Sequence, residues 1–211
     1  TEYVGLRGRL SIISEAYSYI SYKERIQATA AFVTQCLDYV DDHRIKVIQL
    51  LDGIQQQSRH NSTKAQLSLG AEVRPFKEKF KLKGYDGSSD TPKDHDVLFF
   101  GDYAATQSKT FPFGYVLSDQ EGRVVDRLLM HGIKVFSLTA THQTKVDHFS
   151  ITKYDRSPTS FQGHQMVTLD GKWETKEANL NQGDYFVPTD QPLGRLAGYL
   201  LEPQSDDGFS T

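Results

Sequence analysis

The sequence has few of the residues that build disulfides, membrane spans or nucleic-acid surfaces. Cys36 is the single cysteine, so the chain can form neither an internal disulfide nor a thiolate metal cluster. The longest apolar runs, such as residues 97–100, are far shorter than the roughly 20 residues that a membrane-spanning helix needs. The net charge is only -3, with acidic and basic residues interleaved. We therefore expect a soluble globular protein with neither nucleic acid nor a membrane as partner.

The sequence does contain the material for an ordinary hydrophobic core. It has 211 residues, of which 37% are hydrophobic, and this allows one large or two small domains. It opens at Thr1 instead of methionine and stops at Thr211 without a recognisable terminal signal. We interpret it as an excised fragment, in which any signal peptide would lie upstream.

Residues 1–62 combine a strand pattern with a helix pattern. Leu10–Tyr17 is rich in branched apolar residues and turns polar at Ser14 and Glu15, which predicts a buried strand with a carboxylate at its carboxyl end. From Lys23 to about Ser58, apolar residues recur at steps of three and four, with Arg44 as the interruption. This spacing predicts one long amphipathic helix or two stacked helices.

Residues 63–211 are predicted to form a β-rich domain with two short helices. The polar segment 55–63 marks the boundary, and short strands are predicted at Ala65–Arg74, Phe76–Lys83, Asp96–Tyr103, Gly114–Leu117, Lys134–Leu138, Val146–Lys153 and Tyr185–Pro188. Asp170-Gly171 predicts a two-residue hairpin turn. One helix would follow Ser118 and stop at Gly132, and the other would span Pro192–Leu201. The fold class is therefore α+β.

Several motifs resemble the zinc carboxypeptidase family. Residues 3–19, reading YVGLRGRLSIISEAYSY, resemble the last catalytic strand of bacterial multidomain members of that family. Similar C-terminal signatures lie further along the chain, at residues 131–133 (HGI), 161–164 (FQGH), 191–196 (QPLGRL) and 200–208 (LLEPQSDDG). Because the matches lie at both ends and in the middle, the resemblance covers nearly the whole chain.

The resemblance implies a hydrolase whose zinc, held by two histidines and a glutamate, activates water to cleave a C-terminal peptide bond. Glu15 matches the general base of the family, and Arg7 and Arg9 are candidates for binding the substrate carboxylate. The chain has no His-x-x-Glu motif, and the family's third histidine normally precedes this strand, so no metal ligand is assigned. We expect zinc in the parent protein and neither zinc nor hydrolysis in the fragment alone. Gly8 departs from the asparagine that the subgroup carries between the two arginines.

Each of these assignments has a structural alternative. Glu15 could simply end a strand and cap the next turn, and Arg7 and Arg9 could form surface salt bridges. The tyrosines of the first 22 residues could line a cleft or serve as core and rim aromatics. Asp206-Asp207-Gly208 lacks the other ligands of a calcium loop. None of the seven histidines forms a paired helical ligand motif. They are His43, His60, His95, His131, His142, His148 and His164.

Two further expectations concern partners and location. The β-rich domain could be a non-catalytic module that binds or stabilises a peptide, a glycan or a partner protein. The apolar face of the long helix could mediate self-association once it is separated from the parent. We expect the parent to be exported, to the periplasm or outside the cell, and to act on a peptide or protein substrate.

Overall fold

The computed structural model describes residues 2–59, 65–87, 91–161 and 163–210. It confirms the α+β class. The elements in chain order are α1 (Glu2–Leu6), α2 (Tyr22–Asp42), α3 (Arg44–Arg59), β1 (Gln66–Tyr85), β2 (Pro92–Thr110), β3 (Gly114–Leu117), α4 (Gly122–Met130), β4 (Phe136–Ser137), β5 (His142–Arg156), β6 (Val167–Leu180), β7 (Tyr185–Pro188) and α5 (Gly194–Leu201). The strands form three antiparallel sheets, which are β1-β2, β3-β7-β4 and β5-β6.

The long helical pattern forms two consecutive helices, α2 and α3, and not one uninterrupted helix. A capping box starts α2, because the Ser21 hydroxyl accepts from the Glu24 N–H while the Glu24 carboxylate accepts from the Ser21 N–H. The break falls at His43, whose backbone leaves the helical conformation one residue before Arg44. Helix α3 then continues to Arg59, one residue past the predicted end at about Ser58.

The strand predicted at Leu10–Tyr17 is wrong. Residues 9–17 run without regular structure from the end of α1 toward α2, and Glu15 lies in this segment. A strand exists only where a neighbour pairs with its N–H and C=O groups. In the part of the chain that the structure describes, no strand pairs with residues 9–17. Leu10, Ile12 and Ile13 are 54%, 67% and 67% exposed, although the apolar composition is that of a buried strand.

Two other β predictions are corrected by the register of the sheets. Two strands predicted around Pro75 are one strand, β1, whose register shifts on both sides of Pro75. The hairpin predicted at Asp170-Gly171 is absent, because β6 runs straight through it beside β5. A Cβ on Gly171 would lie 2.5 Å from the Ser150 oxygen. Gly171 therefore serves close approach between strands and makes no turn.

The buried core lies in the C-terminal half, between the β3-β7-β4 sheet and helices α4 and α5. Its buried residues are Leu128, Ile133, Val187, Leu196, Ala197 and Leu200, and Leu6 of α1 packs against them. Gly132 has φ +83° and ends α4 as predicted, with the Ile133 N–H bonded to the Leu128 carbonyl. This turn directs Ile133 into the core. A smaller cluster contains Leu67, Leu69 and Phe111.

Two predictions fall on residues outside the ranges that the structure describes. The domain boundary predicted at residues 62–63 lies outside the described residues, and so does His60. The division into residues 1–62 and 63–211 therefore stays a prediction. Among the described helices, none has the length and apolar character required to cross a bilayer.

Candidate functional site

Glu15, the predicted general base, is exposed to solvent in the segment between α1 and α2. It is therefore accessible to a substrate or to a larger partner domain. Among the described residues, no strand pairs with the segment that carries Glu15. Arg7 and Arg9 lie at the other end of this segment, and no hydrogen bond or ion pair between described residues joins either arginine to Glu15.

Arg7 attaches the N-terminal helix to the core. Its Nη1 donates to the His131 carbonyl oxygen at 2.8 Å and to the Tyr3 hydroxyl at 3.0 Å. The Tyr3 hydroxyl is also 2.8 Å from Nδ1 of His131. Because His131 caps the C-terminus of α4, the guanidinium meets the negative end of that helix. Arg7 thus has a docking role, whereas Arg9 is exposed.

The structure brings three of the carboxypeptidase-like motifs together in the core. The opening segment contacts residues 131–133 through Arg7, as described above. Gln191, from the third motif, is buried and donates from Nε2 to the carbonyl oxygens of Pro188 and Lys134, and its Oε1 accepts from the Lys134 N–H. Motifs that are distant in sequence are therefore joined by hydrogen bonds in the folded chain.

Glu202 is a buried carboxylate that sequence reasoning did not single out. It is only 1% exposed, and it accepts from the Tyr115 hydroxyl at 2.8 Å and from Nζ of Lys109 at 3.1 Å. Nζ of Lys109 also lies 3.1 Å from the centre of the Trp173 ring. Burial, reinforced by the negative charge of Glu202, raises the pKa of Tyr115. This network joins β2, β3, β6 and the end of α5.

The β1-β2 ribbon carries an exposed aromatic face, formed by Phe76, Phe80 and Phe99. The ring of Phe99 lies 5.7 Å from that of Phe76 and 6.0 Å from that of Phe80. Each ring belongs to a residue about half exposed. The opposite face carries the cross-strand charge pairs Lys81–Asp96 and Lys83–Asp94. Alternation of lysine and apolar residues over 79–83 is the sequence signal for this two-faced ribbon.

Metal binding finds no support in the side chains that the structure describes. Within residues 2–59, 65–87, 91–161 and 163–210, no three His, Cys, Asp or Glu side chains converge as a metal site would require. Glu15 and the described histidines are therefore not grouped as zinc ligands. The candidate functional groups among the described residues are one exposed carboxylate, a docked arginine and a β-ribbon with an apolar face.

Comparison with known proteins shows a relationship to carboxypeptidases, and thus to peptidases, over about half of the chain. Carboxypeptidase 2 of Trichophyton tonsurans is 25% identical over 107 residues, which are 51% of this chain and 20% of that protein. Carboxypeptidase 2 of Trichophyton rubrum is 25% identical over 122 residues, 58% of this chain and 22% of that protein.

The matched part spans about a fifth of the length of the curated relatives. The relatives are fungal, so the bacterial subgroup named from the motifs stays a prediction. No family model matches the chain, and no solved structure matches it.

Proposed function

We propose that the chain is the C-terminal portion of a zinc carboxypeptidase in which Glu15 acts as the general base. The observation that carries the proposal is the similarity to Carboxypeptidase 2 over about half of the chain. The carboxypeptidase-like motifs gathered around α4 and α5 support it. So does the accessibility of Glu15, because a general base must reach the water whose proton it takes.

The donor set of this chain does not fit a zinc site, since the described side chains hold no suitable cluster. The proposal therefore assigns the zinc ligands to residues outside this chain. It also expects the 211-residue chain alone to lack peptidase activity. The role of Glu15 is then to accept a proton from the attacking water and to return it to the leaving amine.

The test of Glu15 uses a protein that contains this chain together with the rest of the enzyme. Glu15→Gln keeps the shape of the side chain but removes its basicity, so we expect kcat to fall by about 10²–10⁴-fold with KM little changed. Glu78→Gln, an exposed carboxylate on β1, is the matched control and should retain full turnover. Full turnover of Glu15→Gln would refute the assignment.

The proposal also gives Arg9, and with it Arg7, contact with the C-terminal carboxylate of the substrate. Arg9 is exposed and is the freer of the two to bind, because Arg7 is bonded to His131. Arg9→Gln should raise KM about tenfold for a peptide with a free C-terminus. The measurement includes a C-terminally amidated peptide, whose binding should not change. Equal effects on both peptides would show that Arg9 does not recognise the carboxylate.

A second candidate function is a non-catalytic module that binds or stabilises a peptide, a glycan or a partner protein. The exposed aromatic face of Phe76, Phe80 and Phe99 favours it, because contiguous apolar surface marks interaction sites. Phe80→Ser with Phe99→Ser should then lower activity of the whole enzyme on a protein substrate but not on a dipeptide. Lys81→Ser on the opposite face is the control. Equal activity of all variants on both substrates would exclude this function.

A further inference from the structure

A cavity of about 480 Å³ opens between the N-terminal helix, the base of the β1-β2 ribbon and the C-terminal tail. Its lining comes from separate parts of the chain, including Glu2 and Leu6 of α1, Tyr103 of β2, and Met166 just before β6. This volume is in the range of cavities that hold small ligands or single side chains. No residue proposed for catalysis or for carboxylate binding lines it.

The charges around this cavity are acidic. The carboxylates of Glu2, Asp206 and Asp207 line it, the imidazole of His164 is the one basic group among its described lining residues, and no lysine or arginine is among them. Asp206 is already engaged, because its side chain accepts from the Tyr199 hydroxyl and its N–H donates to the Leu69 carbonyl oxygen. Among the described residues, no ion pair compensates Glu2 or Asp207. The cavity therefore favours a positive ligand.

The walls of the cavity are apolar and partly aromatic. Leu6 and Met166 contribute aliphatic surface, and the rings of Tyr103 and Phe161 are 70% and 60% exposed. An aromatic face attracts a planar cation, and a thioether adapts to an alkyl stem. A small inorganic cation would leave these walls uncovered. The complementary ligand has an apolar stem that ends in a charged, planar group.

We propose that this cavity binds an arginine side chain presented by a peptide. The stem lies against Leu6 and Met166, the guanidinium lies between the rings of Tyr103 and Phe161, and Glu2 and Asp207 supply its counter-charge. This binding is independent of hydrolysis. It requires neither Glu15 nor a metal, so its failure would leave the proposed catalytic role of Glu15 untouched, and the reverse holds as well.

The test uses the 211-residue chain and the two methionines that it contains. Met166 lines the cavity, whereas Met130 lies exposed on α4 and serves as an internal control. With ¹³C-methyl methionine, N-acetyl-arginine-amide should shift the Met166 methyl resonance in a saturable way and leave the Met130 resonance in place. N-acetyl-citrulline-amide has nearly the same shape without the charge, and we expect its binding to be at least tenfold weaker, from the loss of counter-charge and cation–π contact.

Variants separate the contribution of the carboxylates to arginine binding from that of the apolar walls. Glu2→Gln and Asp207→Asn should each weaken arginine binding about two- to fivefold, because partly exposed ion pairs are worth little individually. Asp126→Asn, on the exposed surface of α4, should have no effect. Ala71→Phe places a ring into the cavity from β1 and should abolish the Met166 shift without changing any charge.

The outcomes decide the proposal in either direction. A saturable Met166 shift that the charge variants weaken and Ala71→Phe removes supports it. Equal binding of the arginine and citrulline compounds would overturn it, and so would equal shifts at both methionines. The absence of any saturable shift would overturn it too. Circular dichroism of each variant shows whether it is folded, and the two ligands compared on the unmodified chain give a result that needs no variant.

Discussion

Helix α4 and helix α2 both carry apolar residues on one face but differ in what covers them. Leu128 of α4 has no exposed surface, since α5 and the β3-β7-β4 sheet pack against it. Leu37 of α2 is 66% exposed, and Ile26, Val33 and Val40 on the same helix are also exposed. An apolar stripe therefore predicts that a helix face needs cover, but it does not say whether the same chain supplies that cover.

The proposed function gives a reason for the difference in burial between α4 and α2. The C-terminal half contains a core that its own residues close together with Leu6 of α1. Helices α2 and α3 carry exposed apolar side chains, such as Leu37, Ile45 and Ile48, although α3 also contacts α5. If the chain is the end of a carboxypeptidase, the remaining part of the catalytic domain is the expected cover. Predictions that compare the two regions follow, in order of decreasing effect.

The largest contrast is expected between two glycines. A Cβ on Gly194, at the start of α5, would lie 1.8 Å from the Thr189 carbonyl oxygen, whereas one on Gly53 in α3 would meet nothing within 4 Å. Gly194→Ala should therefore destabilise the chain by about 4 kcal/mol or more. Gly53→Ala should stabilise α3 by about 0.5–1 kcal/mol, because alanine is the better helix former. Urea unfolding of both variants measures the difference. A small change in the free energy of unfolding for Gly194→Ala would mean that the backbone at Thr189 can shift to make room for the Cβ.

The next contrast compares one leucine from each helix. Leu128→Ala leaves a cavity in the closed core and should reduce the free energy of unfolding by about 3 kcal/mol. Leu37→Ala removes a side chain that is already exposed, so its effect on the isolated chain should stay within about 0.5 kcal/mol. A large loss at Leu37, measured by chemical denaturation of dilute chain, would mean that α2 is covered in solution.

A smaller effect is expected from the buried carboxylate. Glu202→Ala leaves the Tyr115 hydroxyl buried without its acceptor and Lys109 without its counter-charge. The free energy of unfolding should fall by about 2 kcal/mol. Glu177→Ala on exposed β6 is the control and should change little. Thermal unfolding of both variants would test this, and equal behaviour would mean that solvent replaces the Glu202 contacts.

The smallest effect concerns alkaline pH. The pKa of Tyr115 is raised in the folded state, so above about pH 10, where the unfolded tyrosine ionises, only the unfolded state releases the proton. Stability should therefore be constant for this group below pH 10 and fall above it, by up to about 1.4 kcal/mol per pH unit. Tyr199, whose pKa burial and the hydrogen bond to Asp206 also raise, acts in the same direction.

Tyr115→Phe removes this titration. Between pH 10 and 11 its free energy of unfolding should decline less steeply with pH than that of the unmodified chain. Urea unfolding at several pH values gives the two slopes. Parallel slopes would show that Tyr115 ionises equally in both states.

The sequence was sufficient to predict α2, α3, α4 and α5, because the signals that start and end them are local, whereas α1 (Glu2–Leu6) was not predicted. The break near Arg44 and the stop at Gly132 are read from single residues. The errors at residues 10–17 and at Asp170-Gly171 arose where a strand depends on its neighbour. An apolar run does not form a strand without a partner, and a glycine beside Phe149 and Ser150 is needed for packing rather than for a turn.

The candidate sites were predictable to different degrees. Glu15, Arg7 and Arg9 came from a motif resemblance, and their proposed chemistry stays a prediction. The docking of Arg7 on His131 required the fold, since 124 residues separate the two. The cavity could not be predicted either, because its acidic and aromatic lining comes from segments that only tertiary packing brings together.

Amide hydrogen exchange is the most direct test of the claim that the core around α4 and α5 is complete, whereas α2 and α3 need a further domain to bury their apolar faces. In the isolated chain, amides of α4, β7 and α5 should exchange slowly, and those of residues 9–17, α2 and α3 should exchange much faster. In a protein that also contains the remaining part of the enzyme, α2 and α3 should become protected. Measuring exchange at two protein concentrations distinguishes this protection from protection caused by self-association through the same helix face. Unchanged, fast exchange of α2 and α3 in the longer protein would contradict the account.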